Sequence, residues 1–385
     1  MYAYDQYDRQ IISQRVAQYR DQTERYLAGK ITEEQFLPLR LQNGLYVQRL
    51  APMLRIAVPY GTLNSQQLRK LAFITREYDK GYAHISTRQN VQLNWPKLEE
   101  VPDILEHLAE VEMHSIQTSG NCIRNVTADQ FSGVAADEVE DARPWCEIIR
   151  QWSTFHPEFA FLPRKFKIAV CGSEQDRAAV LVHDIGLQIV KDDNGNTAFK
   201  VIVGGGLGRT PVIGSVIHEA LPPRHLLSYL EAIVRVYNQL GRRDNKFKAR
   251  IKILVRAMGA EAFKAKVEEE WVFIKDGNLD LPDEEIARAQ SFFTRPDYEA
   301  LENEDLQALA LENVDFARWL NHNVHAHKQR GYAIATLSLK TTGVAPGDVT
   351  AEQFEAVADL AEEFGFGEIR STHQQNLVLP DIQQR

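Results

Sequence analysis

Leu162-Pro163-Arg164-Lys165-Phe166-Lys167 sets two ammonium groups two residues apart. On a strand, that spacing turns both lysines to one face and Arg164 with Phe166 to the other. Two adjacent cations repel unless an anion lies between them. Arg88, within Ser86-Thr87-Arg88-Gln89-Asn90, and Arg124, within Gly120-Asn121-Cys122-Ile123-Arg124-Asn125, each offer a guanidinium fork shaped for a carboxylate or oxyanion. Taken singly, each of these cations is as simply read as a solvated surface charge.

Three further groups invite chemistry less strongly. Val203-Gly204-Gly205-Gly206-Leu207-Gly208-Arg209 follows a strand pattern, but G-x-G-x-x-G fails in both registers because Arg209 or Pro211 takes the last place. A dinucleotide loop is therefore disfavoured, while close backbone approach to a flat or anionic ligand stays open beside a plain turn. His322, His325 and His327 mix helical and strand periods with no cysteine near, so a solvated loop is preferred over zinc and no metal site is assigned. Cys122 would need a base partner to act as a nucleophile, and a small buried thiol is the simpler reading.

The elements that must position these groups show an internal repeat. From Leu54 the pattern runs strand, capped helix, strand to Leu93, and it returns at an offset of 286 residues. Gly61, Gln67, Ala72, Glu77, Gly81, Gln89, Asn90 and Leu93 recur as Gly347, Gln353, Ala358, Glu363, Gly367, Gln375, Asn376 and Leu379. Apolar positions recur as well: Leu63, Leu68, Leu71, Ile74 and Tyr78 become Val349, Phe354, Val357, Leu360 and Phe364. Arg88, however, becomes Gln374, so the architecture does not require its charge. We expect an α+β chain: a helical arm over 1–45, a first half-domain over 46–115, a central α+β domain with linker over 116–320 and a second half-domain over 325–385. The half-domains should pack about a pseudo-twofold axis. In the middle block, 165–170, 178–182 and 199–203 read as strands, with Asn194-Gly195 as a hairpin signal. Helices are expected around 225–240 and 260–272, and an acidic linker or solvated helix over 280–312.

Composition sets the outer limits. With 385 residues, 44% hydrophobic and 25% charged, the chain should fold around more than one core. Its formal charge of −9 disfavours nucleic acid and acidic membranes as partners. Three cysteines without metal or disulfide spacing, no export signal and no long apolar run point to the cytoplasm.

Several motifs together carry a family resemblance. Leu54-Arg55, Ser86 to Gln92, Arg124-Asn125-Val126, Leu162 to Lys167 and Val203 to Leu207 resemble the sulfite/nitrite reductase family, most closely its assimilatory sulfite reductase hemoproteins, which use siroheme coupled to a [4Fe-4S] cluster. The resemblance runs over nearly the whole chain. It implies two ferredoxin-like half-domains flanking a siroheme domain, and six-electron reduction of sulfite to sulfide. It further implies that Lys165, Lys167 and Arg124 face the oxyanion as catalytic groups. Arg55, Arg88, Gln89, Asn90, Gln92, Arg164, Gly204, Gly205 and Gly206 would bind the cofactor. Siroheme bears eight carboxyl groups, so a chain of net charge −9 must concentrate arginine forks to hold it. Lys165 and Lys167 would both bind the anion and donate protons as oxygens leave as water. The partners implied are sulfite or nitrite and an electron donor, ferredoxin or a flavoprotein.

Two departures from the family pattern stand out. Ala57 occupies a position where many members carry a second arginine, which leaves one cation fewer and keeps nitrite reduction open as an alternative. The family's four cluster cysteines, C-x5-C and C-x3-C, would lie beyond Arg385, and three cysteines at other spacings do not replace them. The expectation is a truncated or split hemoprotein, inactive alone; a non-catalytic tetrapyrrole-binding remnant is the alternative from another class.

Overall fold

A computed structural model describes residues 4–385. The chain divides into two compact units, one of residues up to Ser119 with Val134–Ala136 and Arg295–Arg385, the other of Gly120–Gly133 and Asp137–Thr294.

The first unit holds the repeat. Its N-terminal helix Gln6–Leu27 starts at a capping box formed by Asp5 and Asp8, and the next, Glu33–Gln42, at one formed by Thr32 and Gln35. Phe36 is fully buried and stacks on Tyr26 with ring centroids 4.4 Å apart. Two five-stranded sheets follow. One runs Leu45–Val47, Pro52–Ile56, Val91–Leu93, Tyr82–Ile85, Asp348–Thr350; the other runs Val324–Ala326, Tyr332–Leu337, Leu377–Gln383, Glu368–Ser371, Thr62–Asn64.

Each half-domain lends the short strand that precedes its helix to the sheet of the other. Leu63 pairs with Ile369, and Val349 pairs with Ala83. These two pairs exchange under the same 286-residue offset, the reciprocity that a twofold axis demands. The equivalent helices Ser65–Tyr78 and Ala351–Phe364 pack on each other, each opened by a capping box, Asn64 with Gln67 and Thr350 with Gln353. One apolar cluster joins the halves, with Leu68, Leu71 and Ile74 beside Phe354, Val357 and Ala358. The exposed ion pairs Arg69–Asp359 and Arg76–Glu355 across the same helices add little, because water screens them. Burial holds the halves together.

The second unit is built on a mixed sheet ordered Ser215–Leu221, Thr197–Val203, Ile185–Lys191, Ile168–Cys171, Thr127–Ala128, the last two pairings parallel. The helices Leu226–Leu240 and Ala260–Trp271 lie where periodicity places them, and Asp283–Ser291 is helical within the acidic stretch. Asn194-Gly195 does turn a hairpin, with Gly195 at φ 82°. Its first arm is Ile185–Lys191, not the expected 178–182. That run is a 3-10 turn at Val180–Val182, entered through Ala179 in the left-handed region, and the Asp176 carboxylate accepts from the Val180 N–H. Residues 165–167 also fall outside the regular strand, which begins at Ile168. Phe166 makes only an isolated bridge to Ile123. Among the described residues, no helix is long and apolar enough to cross a membrane.

Candidate functional site

In the first unit, Arg55 and Gln92 face each other across paired strands. The Arg55 Nη2 donates to Gln92 Oε1 at 2.8 Å, and its guanidinium lies 5.7 Å from the Tyr46 ring centroid. Arg88, half-buried, stands on the turn that joins the neighbouring strands Tyr82–Ile85 and Val91–Leu93. Arg55, Arg88 and Gln92 are therefore carried by one sheet and its turn.

Gln89 and Asn90 serve the architecture of that turn. Gln89 is fully buried at φ 59°, and its Nε2 donates to the Ser371 carbonyl at 3.1 Å. The Asn90 Oδ1 accepts from the Val58 N–H at 3.2 Å. Ala57 is buried, and its N–H donates to His114 O at 2.8 Å, so no cation stands at that place.

In the second unit, the two lysines flank a buried ring. Phe166 is fully buried, 5.3 Å from the Tyr237 ring centroid, while Lys165 and Lys167 on either side are half-buried. The Phe166 carbonyl accepts the Arg124 N–H at 2.8 Å, which sets the Arg124 segment directly beside the lysines. Arg124 is buried and doubles its guanidinium onto Gly120 O at 3.1 and 2.7 Å. Tyr237 Oη donates to Ala249 O at 2.8 Å and also reaches Arg164 O at 3.4 Å, so the helix Leu226–Leu240 braces this segment.

The glycine loop belongs to the same construction. A Cβ at Gly205 would stand 2.4 Å from Leu181 O, and one at Gly206 would stand 3.0 Å from Lys252 Cδ. Lys252 is buried and donates from Nζ to Leu207 O at 3.1 Å and Thr210 O at 2.6 Å, fixing the loop from below. Desolvation lowers its pKa. Sequence reasoning missed Lys252, and it missed Asp184 and Arg250, whose paired charges join the lysine segment to this loop. The only available hint was a lone acid inside the apolar run from Val180 to Val190.

The cysteines and histidines have other employment. Burial raises the pKa of all three thiols, at Cys122 against the pull of Arg124, so none is poised as a thiolate. His327 Nε2 meets Asp381 Oδ1 at 3.1 Å while its Nδ1 accepts from Gln329 N–H, and His325 meets Thr336.

The donor set decides which cofactors suit these residues. Half-buried guanidinium and ammonium groups fit a polycarboxylate such as siroheme, because partial dehydration strengthens each charge-assisted bond. A [4Fe-4S] cluster does not fit the cysteines present: Cys146 and Cys171 are buried in the second unit's core, Cys171 with its thiol turned onto the carbonyls of Ser173 and Gln175.

Comparison with known proteins agrees with this architecture. Residues 119–275 match the family model "Nitrite and sulphite reductase 4Fe-4S domain", and residues 48–111 and 327–385 match "Nitrite/Sulfite reductase ferredoxin-like half domain". The ferredoxin–nitrite reductase of Synechococcus elongatus is 30% identical over 88% of this chain and 61% of its own length. The chloroplastic ferredoxin–nitrite reductase of Arabidopsis thaliana is 28% identical over 86% of this chain and 52% of its own. A ferredoxin-named sulfite reductase of Mycolicibacterium paratuberculosis is 28% identical over 86% and 53%. The solved structure of the Mycobacterium tuberculosis NirA protein superposes with a TM-score of 0.73 at 26% identity, covering 92% of this chain and 61% of that one. The chain spans about half to three fifths of the length of these relatives. An α+β chain with two ferredoxin-like half-domains and a second α+β unit is the architecture these matches share. This chain belongs to the siroheme-dependent nitrite and sulfite reductase family.

Proposed function

We propose that this chain is the substrate- and siroheme-binding part of a sulfite reductase hemoprotein. The observation that supports the reading best is the pair Lys165 and Lys167, half-buried on either side of buried Phe166, with Arg124 bonded to the same residue. Siroheme, when bound, would pass to the oxyanion the six electrons that an external donor provides.

The protein's own groups do the rest. Lys165 and Lys167 hold the small oxyanion by charge and bring protons from Nζ to oxygens that leave as water. Arg124 adds a guanidinium whose orientation Gly120 O fixes. Arg55, Arg88, Gln92 and Arg164 neutralise siroheme carboxylates, while Gln89 and Asn90 shape the turn that carries Arg88. The glycines 204–206 keep their loop close-packed. Ferredoxin is the donor we assign, on the names of the relatives.

Nitrite is the second reading, favoured by the nitrite reductases among the relatives and by Ala57, since one cation fewer suits a singly charged anion. The test is anion binding by the siroheme-reconstituted chain, read in the visible spectrum with sulfite and nitrite in competition. Lys165→Gln/Lys167→Gln should weaken sulfite binding at least tenfold with siroheme still bound. Unchanged binding would refute the assignment, and tighter nitrite than sulfite would select the second reading.

A further inference from the structure

Lys167 owes its position to an acid seventeen residues away in the chain. Asp184 is fully buried, and its carboxylate is divided between two tasks. Oδ2 accepts the Lys167 N–H at 2.8 Å, while Oδ1 accepts Nε and Nη2 of Arg250 at 3.0 and 2.7 Å. Its main chain does as much: the Asp184 carbonyl accepts the Gly204 N–H at 3.0 Å, and the following Ile185 N–H donates to Lys167 O at 3.1 Å. One residue thus ties the lysine segment, the start of the glycine loop and the head of the helix Ile251–Met258 into a single network.

Stability alone is a poor reason to keep such a pair. A buried ion pair is often replaceable by apolar residues of similar volume without loss, because desolvation offsets the attraction. What apolar side chains cannot do is accept the Lys167 N–H and fix its rotation about the chain. Rotation of that peptide would redirect the Lys167 Nζ, since Cβ direction follows the backbone.

We propose that Asp184, with Arg250 as its counter-charge, is the positioning residue for the oxyanion lysines, setting the aim of Lys167 and the register of the Gly204–Gly206 loop together. It touches no substrate and acts only through the residues it holds. The inference rests on the reading that Lys165 and Lys167 bind the oxyanion, and the experiment separates the two.

The full chain, without added cofactor, is titrated with sulfite by calorimetry, and amide hydrogen exchange is followed at Lys167. Asp184→Leu leaves the Arg250 guanidinium unneutralised and lowers the melting temperature; Asp184→Leu/Arg250→Met removes both charges together with the acceptor for the Lys167 N–H and recovers it. Both variants should bind sulfite at least tenfold more weakly than the parent, and the Lys167 amide should exchange faster in both. A double variant that regains wild-type sulfite affinity together with its melting temperature would reduce Asp184 to a strut and overturn the proposal. Lys165→Gln/Lys167→Gln is the control on the underlying reading. Should it bind sulfite as the parent does, the oxyanion assignment falls; should it lose sulfite while the Asp184 variants do not, only the role of Asp184 falls.

Discussion

The turns Ser86–Asn90 and Thr372–Asn376 are the same device used twice and finished differently. In both, glutamine sits in the left-handed region, at φ 59° for Gln89 and 63° for Gln375, and donates its N–H to Ser86 O or Thr372 O at 3.0 Å. In both, the hydroxyl accepts the asparagine N–H, at 3.2 Å for Ser86 and 3.1 Å for Thr372. Each glutamine Nε2 crosses to the other half-domain, Gln89 to Ser371 O at 3.1 Å and Gln375 to Ile85 O at 3.2 Å. At the third position the copies part. Arg88 is half-buried, whereas Gln374 is exposed, with the Lys340 ammonium bonded to its carbonyl and to Asn376. What the copies share is what the fold needs, and what they do not share is where function is to be sought.

The comparison breaks most visibly at the glycines. A Cβ at Gly61 would meet Ser371 O at 2.6 Å and one at Gly347 would meet Ile85 O at 2.7 Å, both at positive φ. Alanine at either position should cost about 2–4 kcal/mol from strain and overpacking, read as a shift of the urea midpoint. Near-equal losses support true equivalence of the copies; a loss at one site only contradicts it. Gln89→Met should cost about 1–3 kcal/mol because it leaves a buried carbonyl unsatisfied. Gln375→Met should cost less, since Gln375 is only half-buried.

Acid should separate the halves further. At Asp381 burial pushes the carboxyl up but is outweighed by the hydrogen bonds from His327 and Tyr298, so its pKa lies below the ordinary value. A depressed folded pKa means stability that is present above the unfolded value and is lost as pH falls through the folded one. Unfolding curves collected from about pH 5 downward should therefore steepen in the parent, and Asp381→Asn should flatten that fall. The smallest effect belongs to Arg88→Gln, which copies the second turn onto the first and should change stability by no more than about 0.5 kcal/mol.

Much of this was legible because it is local. The helix faces and the Asn194-Gly195 hairpin are written within a few residues of each other. The repeat was legible because glycine, glutamine and asparagine carry backbone constraints that amphipathic periodicity alone does not. The exchange of the strands Thr62–Asn64 and Asp348–Thr350 was not, since a three-residue strand has no readable partner in the chain. The 178–182 run misled because a short apolar stretch has no period to distinguish a strand from a turn, and Ala179 takes a left-handed conformation that its type does not announce. Among the residues proposed for the site, Lys165, Lys167 and Arg124 are proposed from short motifs, but the Asp184–Arg250 pair, 66 residues apart, has no local signal.

The most direct measurement is a siroheme titration of the full chain followed by its Soret absorption, with the two turns edited in opposite directions. Arg88→Gln should weaken siroheme binding at least tenfold while the fold persists, and Gln374→Arg should leave binding unchanged. Equal affinity in the parent and Arg88→Gln, or a gain of binding from Gln374→Arg, would contradict the account.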